Sequence, residues 1–151
     1  MKIIFLDIDW VMIPAWTIYC KESRLKPDCA DLLHKILIET WANIVISSTW
    51  RSRMEKVREL FKDYAIIRER IIGRTGFYGW RSTEISVWLQ QYYNLHETGQ
   101  GTRNTISHWI AIDDNSADMD FAKYNRVFVQ TDTYQWMNAE QAEEAISILN
   151  K

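Results

Sequence analysis

Three short apolar segments that end in acidic or hydroxyl side chains constrain the fold of this chain more than any other feature. They span residues 2–6, 43–46 and 108–112. Each has the length of a buried strand, and segments with helical periodicity separate them. Strands that alternate with helices predict an α/β fold with a mainly parallel central sheet and helices on both of its faces.

The segments between the strands carry helix start signals and apolar helix faces. Pro27 suits the first turn of one helix, and residues 53–61 place apolar side chains at helical spacing. Ser82 or Thr83 suits the cap of the next helix, and Asn138 suits the cap of a closing one. We therefore predict four main helices that start near these positions.

Weaker signals predict the remaining elements. A short apolar stretch at residues 71–72 stops at Gly73, and residues 94–104 have the polar, glycine-bearing character of an exposed loop. Residues 119–124 are predicted to form a short helix, and residues 126–129 to form the last strand.

The length of 151 residues fits one domain, and the chain has no internal repeat, low-complexity segment or linker. We predict a single domain over residues 1–151. No apolar run reaches the length that spans a bilayer, so we expect no membrane association. The two cysteines, Cys20 and Cys29, are too few for a disulfide framework, which favours a reducing, cytoplasmic location.

Polar residues follow the strands at positions where they can meet. Asp7 and Asp9 follow the first strand, Ser47 follows the second, and Asp113 and Asp114 follow a later one. Because ligands of open α/β sheets bind beyond the carboxyl ends of the strands, these side chains should share one pocket. Several carboxylates in one pocket repel each other unless a cation intervenes, and oxygen donors without His or Cys suit Mg²⁺.

This arrangement predicts phosphoryl transfer. A carboxylate can attack phosphorus and form an aspartyl-phosphate that water then hydrolyses, and we assign that role to Asp7. Asp9, two residues further along, is the predicted general acid and base. Ser47, helped by Ser48, is predicted to bind the oxygens of the phosphate.

At these residues the chain resembles the haloacid dehalogenase-like (HAD) superfamily. The first superfamily motif, D-x-D-G-[TV], is similar to residues 7–11, the second to residues 44–47, and the fourth to residues 112–118. The chain is closer still to a compact subgroup, the phosphatase-like domains associated with RNA repair proteins. Their S-S-x-W-R pattern resembles residues 47–51, and their R-x-x-E-I-x-x-W-L pattern resembles residues 81–89 with one residue of slack.

The resemblance implies a Rossmann-like sheet without a large cap domain, phosphatase activity, and Mg²⁺ as the cofactor. It implies that Asp7, the main-chain carbonyl of Asp9 and an acid of the fourth motif hold the metal ion. For that acid we favour Asp114, with Asp113 or Asp118 assisting through water or through contacts with the ligands.

The chain departs from the superfamily pattern at two positions. The third motif supplies a lysine, but no lysine occurs between Lys62 and Lys123. Arg81 is the best substitute as a phosphate-binding cation, and Arg51 is its rival. Trp10 stands where the family usually has glycine. It offers a stacking surface to a nucleobase, or it restricts the site and weakens the enzyme.

Short connections predict an open site, because residues 10–26 are too few to fold into a separate cap. A loop with Trp16, Ile18 and Tyr19 would shade this site. An open site admits large substrates, so we predict that the substrate is a terminal phosphate of a nucleotide or a nucleic acid. A small phosphorylated metabolite is the competing substrate class.

Net charge also bears on the substrate, because a value of −2 excludes a chain that is basic over its whole surface. Basic side chains do crowd residues 51–58, either as a phosphate-binding patch or as a solvated helix face. Two other functions compete with a phosphatase. The first is a non-catalytic binding or regulatory module, which Trp10 and the missing lysine favour. The second is an aspartyl-phosphate receiver domain, which needs a lysine after a late strand and ranks last.

Overall fold

The computed structural model describes residues 1–14, 24–97, 105–119, 127–132 and 134–151, except for the side chains of residues 94–97 and 118. Within these ranges the strands are β1 (Lys2–Leu6), β2 (Asn43–Ile46), β3 (Ile71–Arg74), β4 (His108–Asp113) and β5 (Phe128–Gln130). They form one all-parallel sheet with the spatial order β3-β2-β1-β4-β5. The predicted α/β fold is confirmed.

Helices cover both faces of this sheet. In the described ranges they are α1 (Pro27–Thr40), α2 (Met54–Leu60), α3 (Ala65–Arg70), α4 (Arg81–Glu97) and α5 (Ala139–Leu149). Two short 3₁₀ helices, Thr49–Arg53 and Ser116–Asp118, follow the ends of β2 and β4. None of the described helices combines the length and the apolar character that crossing a bilayer requires.

Alternation along the central strand separates two apolar cores. Ile4 and Leu6 of β1 belong to the larger core, which contains the inward faces of α1 and α5. Ile3 and Phe5 belong to the smaller core, where Ile85 of α4 packs. Side chains of a strand alternate between the two faces of the sheet, so one five-residue strand contributes to both cores.

Aromatic contacts dock α4 onto the smaller core. The ring of Phe5 meets the rings of Trp88 and Trp109 edge-on, at centroid distances of 5.4 and 5.7 Å. Tyr92, one helical turn beyond Trp88, stacks on it at 5.4 Å. These contacts explain two of the eight tryptophans as core residues, and they fix the helix whose first residue is Arg81.

Local structure differs from the predictions where pairing or short-range geometry overrides the sequence pattern. β3 continues through Gly73 to Arg74 because its backbone pairs with β2. α2 covers most of the helix predicted over residues 53–61, but it begins at Met54 because Arg53 ends the preceding 3₁₀ helix. The six-residue α3 was not predicted, since it is too short to show helical periodicity.

The ends of two helices also differ from expectation. Neither Ser82 nor Thr83 caps α4, because the helix already begins at Arg81 and its first backbone bond joins the Glu84 N–H to the Trp80 carbonyl. The first part of the loop predicted over residues 94–104 is helical, because α4 continues to Glu97. By contrast, the predicted Asn138 cap is confirmed, with a reciprocal bond to Gln141.

Several predictions concern residues outside the described ranges. These include the rest of that loop, the helix predicted over residues 119–124 beyond Met119, and the start of the strand predicted over residues 126–129. The shading loop with Trp16, Ile18 and Tyr19 also lies outside the described residues.

Connections at the carboxyl edge of the sheet are short. Residues 7–26 join β1 to α1, and residues 75–80 join β3 to α4. Neither segment is long enough to fold as a separate domain. The compact, uncapped form of the fold therefore agrees with the prediction.

Candidate active site

Backbone hydrogen bonds bring the polar residues after the strands into one row. The Asp7 N–H bonds to the Ile112 carbonyl at 3.0 Å, and the Ser47 N–H bonds to the Leu6 carbonyl at 2.9 Å. β1 pairs with β2 on one side and with β4 on the other, and the order of the strands reverses between β1 and β4. A crevice at such a reversal is where α/β sheets bind ligands, and Asp7 stands beside it.

Three carboxylates converge at this reversal point. One oxygen from each of Asp7, Asp113 and Asp114 lies within 4.8 Å of the other two. Asp7 is 6% exposed and Asp113 is 2% exposed, so both carboxyl groups have lost most of their hydration. The sequence prediction that these acids meet at the strand ends agrees with their positions.

Arg81 reaches this cluster from the start of α4. Its Nε donates to Asp113 Oδ2 at 2.8 Å, its Nη2 lies 3.4 Å from Asp7 Oδ1, and its Nη1 lies 3.4 Å from Ser47 Oγ. One guanidinium thus contacts three of the predicted site residues. A lysine ammonium is a point charge on a flexible stem and does not present this fixed fork of donors.

Burial makes the charge of Asp7 unfavourable. Burial raises the pKa of Asp7 to about 8, repulsion from Asp113 adds to the rise, and Arg81 opposes it. Burial and Asp113 also raise the pKa of Asp114. One arginine therefore does not fully offset the negative charge of the three acids.

The cluster has the donors that a hard divalent cation requires. Its side-chain donors are all carboxylate oxygens, and burial followed by repulsion from Asp113 raises the pKa values of Asp7 and Asp114, a charge imbalance that a cation would relieve. The residues present therefore fit Mg²⁺. Asp113 is already held by two donors, Arg81 Nε and the Asn115 N–H, the latter at 2.9 Å from Asp113 Oδ1.

The serines after β2 line the same pocket. Ser47 is 1% exposed and Ser48 is fully buried. The Ser48 side chain hydrogen-bonds to the Asp7 carboxyl group and accepts from the Trp50 N–H at 3.3 Å as the cap of the following 3₁₀ helix. Ser47 contacts Arg81, so both serines belong to the hydrogen-bond network around Asp7.

Asp9 is oriented by two residues whose contacts the sequence did not predict. The Trp50 indole Nε1 donates to Asp9 Oδ1 at 2.8 Å, and the Thr49 hydroxyl donates to Asp9 Oδ2 at 3.2 Å. An indole N–H is only a donor, whereas a hydroxyl is both donor and acceptor. Oδ2 is therefore the oxygen on which Asp9 can carry a proton without losing either partner.

The backbone at Trp10 explains why glycine is usual at this position. Trp10 has φ of 64°, in the left-handed region that glycine enters without a steric penalty. Its N–H donates to the Ile13 carbonyl at 3.0 Å, which closes a tight turn after Asp9. The tryptophan thus adopts the conformation that the motif requires, and its side chain is half-buried.

Arg51, the alternative to Arg81 as the phosphate-binding cation, has a different set of contacts. Its Nη2 bonds to Glu84 Oε1 at 2.6 Å, its Nη1 donates to the Ser48 carbonyl at 3.1 Å, and its guanidinium lies 4.0 Å from the Phe77 ring centroid. Both side chains of the Arg51–Glu84 pair are at most 8% exposed. Arg51 therefore contacts the network behind the pocket, whereas Arg81 contacts Asp7 and Ser47.

Glu84 is the buried acid that sequence reasoning missed. It lies 2.6 Å from Arg51, 3.7 Å from Arg81, and accepts from the Tyr78 N–H at 3.3 Å. Its place in the R-x-x-E-I pattern was the available signal, because a helical spacing of three puts it beside Arg81. The side chain of Asp118, predicted to assist the metal ligands, lies outside the described residues.

Comparison with protein-family models gives a match over residues 3–142, to the family described as the HAD domain in Swiss Army Knife RNA repair proteins. No curated protein matches the chain at a significant level, and neither does any solved structure. The family match agrees with the resemblance that the strand-end motifs indicated.

Replacement of Glu84 by glutamine tests the buried pair. Glu84→Gln leaves the Arg51 charge buried without its partner, so the free energy of unfolding should fall by about 3 kcal/mol. Urea denaturation measures this loss. The double variant Arg51→Met/Glu84→Met removes both charges and should recover most of the stability. Glu143→Gln, which removes the charge that pairs with Lys35 at the surface, is the control and should have a much smaller effect.

The raised pKa of Asp7 predicts a pH-dependent stability in metal-free protein. Folded protein binds a proton on Asp7 up to about pH 8, whereas an unfolded chain loses it near pH 3.8, so stability falls as the pH rises through this window. Asp7→Asn removes this dependence and should raise the free energy of unfolding at pH 8 by roughly 1–3 kcal/mol.

Urea denaturation in EDTA at pH 5, 6.5 and 8 measures this difference. The exposed Asp63→Asn variant is the control and should follow the wild type. Equal pH dependence in Asp7→Asn and wild type would contradict the electrostatic account of the pocket.

Proposed function

Because the chain belongs to the family of the HAD domain in Swiss Army Knife RNA repair proteins, we propose that it is a magnesium-dependent phosphomonoesterase. HAD domains are generally hydrolases. The observation that carries the proposal is the set of contacts around Asp7. A buried carboxylate stands at the reversal of strand order, with Arg81 and Ser47 beside it and two further acids within reach.

In the first step Asp7 acts as the nucleophile. A carboxylate oxygen of Asp7 attacks phosphorus, and the bond from phosphorus to the leaving oxygen breaks. Asp9 donates its proton from Oδ2 to that leaving oxygen, while the Trp50 indole holds Oδ1 in place. The product alcohol departs and an aspartyl-phosphate remains on Asp7.

In the second step water releases the phosphate. Asp9, now ionised, takes a proton from the water molecule as its oxygen attacks phosphorus, and the bond between phosphorus and Asp7 breaks. Inorganic phosphate leaves, and both aspartates return to their initial states. One group serves as acid and then as base, as the reversal of proton transfer between the two steps requires.

Arg81 and the serines bind the phosphoryl group in this proposal. The fixed guanidinium supplies positive charge beside Asp7, in the role that a lysine has elsewhere in the superfamily. The Ser47 hydroxyl lies within 3.4 Å of the same guanidinium and would bind a second phosphate oxygen. Ser48 hydrogen-bonds to the nucleophile and would orient it.

Asp7 and Asp114 would hold Mg²⁺ together with the Asp9 main-chain carbonyl, and Asp113 would support them. When bound, the ion would neutralise charge on the acids and on the phosphate. Since Asp7 must be ionised to attack, positive charge that offsets its burial and the repulsion from Asp113 is the main electrostatic requirement of the site.

We further propose that the substrate is a terminal phosphate of a nucleotide or nucleic acid. The uncapped pocket and the association of the family with RNA repair support this class over small metabolites. The single-domain organisation over residues 1–151 and the cytoplasmic location remain part of the proposal, and the buried thiol of Cys29 suits a reducing compartment.

Phosphate release tests the proposed reaction. Wild-type protein with Mg²⁺ should release phosphate from p-nitrophenyl phosphate and from a 3′-phosphorylated oligonucleotide, and EDTA should abolish the release. Asp7→Asn cannot form the acyl phosphate, so kcat should fall about 1,000-fold or more. The Glu69→Gln variant, which changes an exposed acid that lines neither the site nor the groove, should retain wild-type kcat. Retained activity in Asp7→Asn would exclude Asp7 as the nucleophile.

Replacement of Trp10 by glycine separates the enzyme from the alternative, a catalytically weakened binding module. Stacking of a base on an aromatic side chain is worth about 1–3 kcal/mol, so Trp10→Gly should lower kcat/KM for a nucleotide about tenfold relative to p-nitrophenyl phosphate. An increase in kcat for both substrates would instead identify Trp10 as an obstruction. Absent turnover in both proteins would favour the binding module.

A further inference from the structure

The side chain of Trp50, which contacts the proposed catalytic acid, also lines a groove of net positive charge. The volume of this groove is about 970 Å³, and Trp50 and Tyr64 line it together with four basic side chains (Arg24, Arg53, Lys56, Lys62) and two acidic ones (Glu59, Asp63), so its net charge is positive. Trp50 bonds to Asp9 through its indole nitrogen at 2.8 Å. The same side chain therefore contacts the general acid and lines the groove.

We propose that this groove binds the single-stranded nucleic acid that continues from the terminal phosphate. The inference rests on the proposed function only for the placement of that phosphate at Asp7. A strand that leaves the pocket past Asp9 passes Trp50 and enters the groove.

Charge favours a phosphate backbone as the occupant. Arg53 and Lys56 are exposed, and neither has an ion-pair partner in the part of the chain that the structure describes. Both side chains line the groove, Arg53 from the residue before α2 and Lys56 from its first turn. Lys62 also lines the groove, but Glu59 neutralises it at 3.3 Å. Phosphates paired with Arg53 and Lys56 would release counterions.

The aromatic walls suit the bases of a single strand. Trp50 is held by Asp9, and the Tyr64 hydroxyl bonds to Asp31, so both rings are fixed before a ligand arrives. Every base has a face that can stack on such rings, whatever its sequence. Basic side chains beside fixed aromatic rings are typical of grooves that bind single strands without sequence preference.

A second hollow beside the site has the opposite charge. Its volume is about 420 Å³, and its charged lining residues are Asp114 and Asp132. A polyphosphate chain would be repelled there. Of these two hollows, the basic groove is therefore the one whose charge suits a nucleic-acid strand.

An exposed aromatic loop on the α4 side offers a different path. Phe77, Tyr78 and Trp80 are 63%, 49% and 62% exposed, and Arg81 follows them directly. This loop carries rings but no unpaired basic side chain comparable to Arg53 or Lys56. The groove combines both features, so the proposal assigns the strand to the groove and makes the loop an outcome of the test.

Fluorescence anisotropy with the full chain tests the groove directly. The probe is a fluorescein-labelled, unphosphorylated oligouridylate or oligothymidylate decamer, whose binding needs no catalysis. Arg53→Gln/Lys56→Gln should weaken binding about tenfold and reduce the slope of log K against log salt by about 1.4, since each lost contact with a single-strand phosphate removes about 0.7. Circular dichroism and urea denaturation establish that each variant is folded.

Arg58→Gln is the matched control. Arg58 is an exposed cation of the same helix that does not line the groove, because two residues beyond Lys56 the helix has turned by more than half a circle. The control should retain wild-type affinity and salt slope. An equal loss of affinity in Arg58→Gln would mean that net charge alone attracts the strand, and it would contradict the proposal that the groove is the binding site.

Other outcomes also overturn the proposal. Wild-type protein that does not bind the decamer excludes the groove as a strand site. If Trp80→Ala weakens binding of the decamer and Arg53→Gln/Lys56→Gln does not, the strand binds at the aromatic loop and not in the groove. Inorganic polyphosphate that competes as well as the oligonucleotide would assign the groove to polyanions in general.

Hydrolysis of p-nitrophenyl phosphate, measured in parallel, separates the two proposals. Hydrolysis without strand binding would support the proposed phosphatase activity and contradict the proposal that the groove binds the strand. Strand binding that depends on Arg53 and Lys56, without hydrolysis, would support the proposed groove and contradict the proposed phosphatase activity. Where both hold, the ratio of kcat/KM for a phosphorylated decamer to that for p-nitrophenyl phosphate should fall about tenfold in Arg53→Gln/Lys56→Gln.

Discussion

The contact of Arg81 with Asp7 and Asp113 is the interaction on which the rest of the site depends. Parallel pairing of the central strands places these two buried carboxylates side by side, where burial and repulsion from Asp113 disfavour the ionisation of Asp7. Arg81 offsets part of that charge because α4 is docked through Trp88 against Phe5. The aromatic core therefore positions the cation, so packing and electrostatics cannot be separated here.

Behind this contact the buried charges alternate in sign. Asp113 bonds to Arg81, Arg81 lies near Glu84, and Glu84 bonds to Arg51. A buried ion is stable only when its partners satisfy it, and each of these members has a partner of opposite charge. The alternation also gives a physical reason for an arginine where the superfamily has lysine. The donors of one guanidinium reach Asp113, Ser47 and Glu84 in different directions, which a single ammonium does not do.

The strands and the meeting of their polar ends were predictable because both follow from local rules. Short apolar runs identify the strands, and parallel order brings their carboxyl ends to one edge. The partners of Asp9 and Arg51 were not predictable in the same way. Trp50 reaches Asp9 only through the 3₁₀ turn after β2, and Glu84 meets Arg51 only because α4 lies across the sheet. Such contacts depend on the relative placement of distant elements, which periodicity does not encode.

The sequence by itself determined the α/β class, the strands of the central sheet and the acids and serines that follow them, because side-chain alternation and residue type are local properties. Tertiary structure decided that Arg81 faces Asp7, because the sequence favoured Arg81 but left Arg51 open, and only the docked α4 brings one guanidinium to the carboxylate. It also decided the pKa of Asp7, because the energy of a charge depends on its burial and on its neighbours in space. Tertiary structure also decided the left-handed backbone of Trp10. The turn that its N–H closes with the Ile13 carbonyl imposes this conformation, which tryptophan ordinarily avoids.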